Sequence, residues 1–269
     1  MGSDFETLSL SSSGGISTLW LNRPERRNAF SPKMATELVV ALAELADDAG
    51  VRVVVLRGTG GQFCSGGDLA GDGVAGEPDD RTAGEVTRDF MGDIYGPSIL
   101  ALHHFPKPVI AAVEGIAAGA GMNLALACDV VYAAEGARFC EIFVRRSLTL
   151  DCGGSWLLPR LVGFHKAKEL AMFSEWIDAR DAARLGIVAD VFGSENFDSH
   201  LAERANRLVA LPPLALAEIK RALNSSFSRT IEEALDAEAS AQGSLCETDD
   251  FKEAMRAFFE KRDATFSGR

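Results

Sequence analysis

The apolar positions of this chain come in short bursts separated by glycine-rich turns, and the period of each burst distinguishes strand from helix. Residues 5–10 and 15–21 are two brief apolar runs around a Ser-Gly-Gly turn, the signature of a hairpin. NRPERRNAF, 22–30, is polar and broken by Pro24, which predicts a loop. Over 32–49, Met34, Leu38, Ala41, Leu42 and Leu45 recur at helical spacing. VRVVVLRG, 51–58, is almost continuously apolar, as a strand buried on both faces of a parallel sheet would be. A glycine-rich connection follows at 58–69, then a Gly/Asp/Pro-rich stretch at 70–84 that reads as a mobile loop over the ligand. Beyond it the pattern predicts a helix over 86–104, a second buried strand over 107–115, a helix over 120–128, a strand over 129–135 and a short helix over 155–160.

Strand, glycine turn and helix thus repeat, which predicts an α/β fold. After residue 195 the pattern turns wholly helical, with helices expected over 196–210, 213–226, 230–242 and 247–262. The chain is therefore divided into a core over 1–195 and a helical C-terminal subdomain over 196–269. The apolar face at Ala254, Phe258 and Phe259 is left to cover the core or to pack on another subunit.

Composition narrows the function classes. A chain of 269 residues can bury one sizeable core. A net charge of −12 argues against non-specific nucleic-acid binding, though not against an anionic ligand held by a local basic patch. No run approaches the roughly 18 apolar residues of a membrane helix, and the first twenty residues lack the basic start and apolar centre of a signal peptide. Five cysteines, an odd number without a CxxC pair, point to free thiols in a reducing, cytoplasmic compartment. Cys64 and Cys152 sit in glycine turns where a nucleophile has room, but each is equally a small core residue. The four histidines show no metal-ligand spacing, so no metal is expected.

Two stretches carry the candidate chemistry: GIAAGAGMNLALACD at 115–129 and TLDCGGSWLLPR at 149–160. In the first, Gly119, Ala120 and Gly121 let backbone approach a ligand closely, and a helix is expected to begin there with its first N–H groups free. Such donors polarise a carbonyl and stabilise an enolate; close packing of a helix on a sheet asks for the same small residues. The turn at 63–68 is able to add a second donor. In the second stretch, Asp151 is a base candidate or a helix-capping aspartate. Leu148, Leu150, Trp156 and Leu157 would dry the site and raise its pKa, whereas a helix N-terminus would lower it.

These segments resemble the crotonase (enoyl-CoA hydratase/isomerase) superfamily. The resemblance runs through LNRPERRNAFS at 21–31, GQFCSGGDL at 61–69, the block 107–139, DCGGSWLLPRLVG at 151–163 and FFEKRDATF at 258–266. It implies a spiral of ββα units with a helical C-terminal subdomain, trimers or pairs of trimers, and an acyl-CoA thioester substrate. Coenzyme A is then part of the substrate, and no separate cofactor is implied. The resemblance puts the oxyanion donors on the N–H groups of Gly67 and Ala120. It puts the CoA contacts on Arg26 and Arg27, with Phe258 and Lys261 reaching a neighbouring subunit's CoA.

At the two positions where the family's hydratases carry glutamates, this chain has Asn123 and Phe143. Neither side chain exchanges a proton at neutral pH. Glu141, two residues before Phe143, is a displaced acid or, as expected here, a surface or loop carboxylate. The ring-1,2-epoxyphenylacetyl-CoA isomerases and related enoyl-CoA isomerases are similar through DCGGSWLLPR, and carry their catalytic aspartate where this chain has Asp151. The expectation is therefore an acyl-CoA isomerase in which Asp151 shuttles one proton, in fatty-acid or phenylacetate catabolism. The alternative is an enoyl-CoA hydratase. A 4-chlorobenzoyl-CoA dehalogenase-like nucleophile, with His103 and His104 out of place for it, and a non-catalytic CoA-binding protein are further rivals.

Overall fold

The computed structural model describes residues 4–69 and 81–269. The stretch 70–84 expected to form a mobile loop lies mostly outside the described residues.

The hairpin pairs β1 (Leu8–Ser13) with β2 (Ile16–Leu21) antiparallel. A parallel ladder then adds β3 (Val53–Gly58), β4 (Val109–Val113), β6 (Val130–Ala134) and β9 (Asp190–Phe192). A second sheet is built from β5 (Ile116–Ala118), β7 (Arg138–Cys140) and β8 (Ile177–Asp178). β4 runs into β5, and β6 into β7, so successive passes of the chain feed one sheet and then the other before a helix. This is the expected α/β spiral of ββα units. The second sheet escaped the pattern reading because its strands are two or three residues long.

Apolar continuity in β3 and β4 reflects burial on both faces. Val53, Val54, Val55 and Leu56 are at most 3% exposed. Side chains alternate across a strand, so Val54 and Leu56 meet α1 (Pro32–Asp47) and its buried stripe of Met34, Leu38, Ala41 and Leu42. Val53, Val55, Ile110 and Ala112 pack on the other side against Phe197, Leu201 and Ala205 of α8 (Phe197–Val209). Each fully buried side chain of this size contributes about 1.5–3 kcal/mol. Arg57 at the end of β3 closes the contact, bonding Asp198 at 2.6 Å and Glu114 at 2.7 Å. The first helix of the stretch read as a C-terminal subdomain thus covers the core sheet.

One helix was expected over 86–104, and three segments replace it: α2 (Ala83–Asp89), a π-helical turn (Phe90–Tyr95) and α3 (Gly96–His103). Pro97 supplies the cause. Its ring lacks an N–H and crowds the carbonyl four residues back, and the chain widens so that Gly96 N–H donates to Met91 O.

The remaining helices are α4 (Ala120–Leu126), α5 (Gly154–Val162), α6 (Phe164–Phe173), α7 (Ala179–Arg184), α9 (Pro213–Ser225), α10 (Ile231–Cys246) and α11 (Asp249–Glu260). Lys220 ties α9 to the core: its ammonium sits 2.8 Å from Asp129, whose carboxylate also accepts the Val109 N–H at 2.7 Å. Phe258 and Phe259 of α11 are 73% and 75% exposed, so this face does not cover the core of its own chain. No helix of the described residues is long and apolar enough to cross a membrane.

Candidate active site

The two glycine turns are held together by main-chain bonds. Cys64 N–H donates to Ile116 O at 2.9 Å, and Ala118 N–H donates to Cys64 O at 3.0 Å. The turn after β3 is thereby fixed to β5, which leads directly into Gly119 and α4. On its other side, Phe30 N–H donates to Gly66 O at 2.8 Å and Asp68 N–H to Phe30 O at 3.0 Å. This ladder uses the residues flanking Gly67 and leaves its own N–H out. Ala120 opens α4, so no carbonyl four residues back is positioned to take its N–H. The conformations explain the sequence: Gly66 has φ +114° and Gly119 φ +50°, a region closed to most side chains.

Gly67 and Ala120 line one cavity of about 580 Å³ together with Asp151. Leu148, Leu150, Phe90, Met91 and Tyr95 make much of its apolar wall. Trp156 and Leu157, expected to dry the same site, instead line an adjoining cavity of about 830 Å³ with His103 and His104. Ile99, Leu100 and Gly153 form part of both walls. Asp68 also reaches the first cavity, but it is held by Arg23 at 2.7 Å, with its side chain 5% exposed. That buried pair braces the residue next to Gly67.

Asp151 does not cap α5. Gly153 occupies the cap position, and no side chain caps this helix. The main-chain carbonyl of Asp151 accepts Gly154 N–H and Asn123 Nδ2, both at 2.9 Å. Cys152 and Gly153 both take left-handed conformations, φ +48° and +79°. A non-glycine residue there is uncommon and marks an imposed turn. The carboxylate is half-buried, and its Oδ1 is buried without a hydrogen-bond partner. Burial pushes its pKa above the usual aspartate value, opposed in part by the Cys152 thiol. Of the two opposing effects on Asp151, burial wins.

Burial argues against Cys64 and Cys152 as nucleophiles. Cys64 is fully enclosed, and burial pushes it up to about 12. Cys152 is raised by burial and by the Asp151 charge. Both therefore stay protonated at neutral pH.

Glu141 corrects the sequence reading most. It was expected to be a surface or loop carboxylate, or to share a strand face with Phe143. It is 1% exposed and stands at the start of a 3₁₀ turn, Ile142–Arg146, after β7. The bond from Gly119 N–H to Cys140 O, 2.8 Å, draws this corner under α4. Burial first, then the Asp151 charge, raises Glu141 to about 8; the Asn123 amide partly opposes this. No periodicity marks it, because turn residues carry none. Asn123 is fully buried and Phe143 is 7% exposed, and neither lines the cavity.

Arg26 and Arg27 are exposed beside the first turn, where the Arg27 carbonyl accepts Ser65 N–H at 3.1 Å. Neither guanidinium makes an ion pair among the described residues. Phe258 and Lys261 lie at the end of α11 and do not reach the Asp151 cavity of their own chain.

The enoyl-CoA hydratase/isomerase family model matches residues 11–269. The chain belongs to that family, the crotonase superfamily, and is an enzyme of acyl-CoA metabolism. A probable enoyl-CoA hydratase of Rhodobacter capsulatus is 41% identical over 98% of this chain and 99% of its own. The 1,2-epoxyphenylacetyl-CoA isomerase of Escherichia coli is 37% identical over 95% of this chain and 96% of its own. Among solved structures, an enoyl-CoA hydratase of Bacillus anthracis superposes with a TM-score of 0.91 at 30% identity, covering 98% of this chain and 100% of that one. Hydratase names predominate among these similar proteins, so the expected isomerase branch is not singled out.

Proposed function

We propose that the chain is an acyl-CoA isomerase in which Asp151 moves one proton while the N–H groups of Gly67 and Ala120 hold the thioester oxygen. The observation that carries this reading is the placement of all three on one cavity wall, where the other described carboxylate, Asp68, is tied up by Arg23. For a 3-enoyl-CoA, the Asp151 carboxylate takes a proton from C2. The electron pair left behind spreads through the double bond to the thioester oxygen. Asp151 then returns the proton at C4, giving the 2-enoyl-CoA with no net change in atoms. Two donors aimed at the developing oxyanion and a base next to it are what proton abstraction beside a carbonyl needs. Isomerisation of a ring epoxide of a CoA thioester is the other isomerase reaction considered for this site.

Hydration is the second reading, and two observations favour it. Most similar proteins carry hydratase names, and Glu141 supplies a second buried acid next to Asp151. Against it, Glu141 does not line the cavity. Product analysis separates the two: crotonyl-CoA is expected to remain unhydrated, while 3-enoyl-CoA is converted.

Arg26 and Arg27 are assigned to the CoA phosphates, on their exposure and freedom from ion pairs. Charge-assisted hydrogen bonds contribute about 1.5–3 kcal/mol each. The double variant Arg26→Ala/Arg27→Ala is therefore expected to raise KM for a CoA ester about 10-fold or more, with kcat held, as loss of uniform binding requires. Initial rates with a pantetheine thioester, which lacks the nucleotide phosphates, should be unaffected.

A further inference from the structure

Two buried polar side chains, Asn123 and Glu141, meet by the Asp151 turn, and their hydrogen bonds do not close as charges would have them. Asn123 donates its Nδ2 to the Asp151 carbonyl at 2.9 Å, which fixes the orientation of the amide. Its Oδ1 then points into protein as an acceptor with no donor. Glu141, 1% exposed, has both carboxyl oxygens buried and also without a partner. The Asp151 charge pushes Glu141 toward its neutral form, and the Asn123 amide beside it opposes this in part. These oxygens are all acceptors, and none has a donor among the described residues. A buried acceptor left unmade is costly, and a protonated carboxyl is a donor.

The remaining groups supply no other donor. Arg145, on the 3₁₀ turn after Glu141, is turned away to Ser174, donating to its hydroxyl at 3.1 Å and to its carbonyl. The Cys64 thiol donates to Gly66 O at 3.8 Å, and the Cys152 thiol is the hydrogen-bonding side chain of Asp151. Tyr95 donates its hydroxyl to Phe30 O at 3.1 Å. Asp68 is neutralised by Arg23. Glu141 faces no cation among these groups, and the Asp151 carboxylate favours its neutral form.

We propose that Glu141 is a positioning residue kept as a neutral carboxylic acid, which donates its O–H to Asn123 Oδ1 and so locks the amide that holds the Asp151 turn. The chain runs Glu141 to Asn123 to the Asp151 carbonyl, and it sets where the Asp151 carboxylate stands in the cavity. Its effect on turnover rests on the reading of Asp151 as the proton carrier. The upward shift of Glu141 to about 8 is in keeping with this state at neutral pH. Loss of the proton breaks the chain and adds a buried anion beside the base.

Glu141→Gln tests this without removing the donor, because its amide N–H₂ bonds Asn123 Oδ1 and does not titrate. At pH 7 its kcat with 3-enoyl-CoA is expected within about 3-fold of the parent enzyme, while Glu141→Leu loses about 10–100-fold in kcat with KM nearly unchanged, the scale of a small misplacement of a catalytic group. The parent enzyme's kcat is expected to fall above about pH 8, and the Glu141→Gln plateau to extend beyond it. Thermal midpoints give a readout independent of substrate. A carboxyl whose folded pKa is raised stabilises most below its unfolded value and loses that contribution as pH rises through the folded one. The parent enzyme should therefore lose stability relative to Glu141→Gln between about pH 5 and about pH 8. A shared alkaline fall in the parent and Glu141→Gln, or a Glu141→Leu enzyme with unchanged kcat, overturns the proposal. Full turnover in Asp151→Asn overturns the reading of the base beneath it; an inactive Asp151→Asn beside an unaltered Glu141→Gln pH profile rejects the role of Glu141 alone.

Discussion

Replacing Asp151 with asparagine is expected to lower kcat for 3-enoyl-CoA isomerisation by about 10²–10⁴-fold, the usual worth of a positioned acid–base group, while KM changes little. The change is nearly isosteric. It also leaves intact the main-chain carbonyl that accepts the Asn123 and Gly154 bonds at 2.9 Å, so the turn at Cys152 and Gly153 should persist. What disappears is the ability to take a proton at C2 and return it at C4. The acid limb of the parent enzyme has a defined direction. Burial raises the Asp151 pKa, and the base works only when ionised. Activity should thus fall, as pH drops, at a higher pH than for an ordinary aspartate. Steady-state rates across pH for the parent enzyme, and at neutral pH for Asp151→Asn, check both statements. An asparagine variant of near-parental kcat would remove Asp151 from the mechanism.

Gly121→Ala is expected to disable the site from its frame. A Cβ at Gly121 would stand 2.4 Å from the Cys64 carbonyl oxygen and 2.7 Å from its Sγ. The carbonyl is the acceptor of the Ala118 N–H bond that joins the two donor turns, so the contact with it is not relieved by a side-chain rotation. Overpacking of this kind costs roughly 1–3 kcal/mol, and because backbone has to yield, the upper end is expected. Stability would fall by several degrees in thermal midpoint, at roughly 2–4 °C per kcal/mol for a chain of this size. Turnover should fall further than stability, since moving α4 away from the Cys64 turn separates Gly67 N–H from Ala120 N–H. Losing one oxyanion donor alone costs about 10²–10³-fold in kcat. Differential scanning calorimetry and kcat on the same preparation distinguish this from simple unfolding: a folded, cooperative Gly121→Ala enzyme with full kcat would contradict the assignment of the two donors.

Much of this site was legible because its parts are backbone and glycine. Gly66, Gly119 and Gly121 announce themselves in sequence, since a positive φ or a close main-chain contact leaves few other residues able to stand there. β3 and β4 were equally plain, as both faces of each strand are buried and the apolar run is unbroken. Asp151 was visible as an acid in a glycine turn, although nothing local fixed whether burial or a helix end would set its pKa. The structure shows Gly153 at the helix end and Asp151 half-buried against the cavity.

Glu141 was not legible for a physical reason. A carboxylate in a turn is normally solvated, and the enclosure of this one comes from two segments distant in sequence: the Gly119 cap of α4, whose N–H bonds Cys140 O, and the Asp151 turn. None of these contacts leaves a trace in periodicity. The same holds for the π-helical turn at 90–95, where Pro97 acts on a carbonyl before it, and for the division of Leu148 and Leu150 from Trp156 and Leu157 between two adjoining cavities. Counting acids at the family's two positions suggested a site with one carboxylate. The folded chain holds a second one, buried near enough for the Asp151 charge to act on it although it does not line the cavity.

The most direct test of Asp151 as a single proton carrier is the product formed from 3-enoyl-CoA in deuterated water, followed by mass spectrometry and NMR for the parent enzyme and Asp151→Asn. The expected result is 2-enoyl-CoA with no water added and with solvent deuterium confined to C2 and C4, and no conversion by Asp151→Asn. A 3-hydroxyacyl-CoA as the main product, or equal conversion by Asp151→Asn, would contradict it.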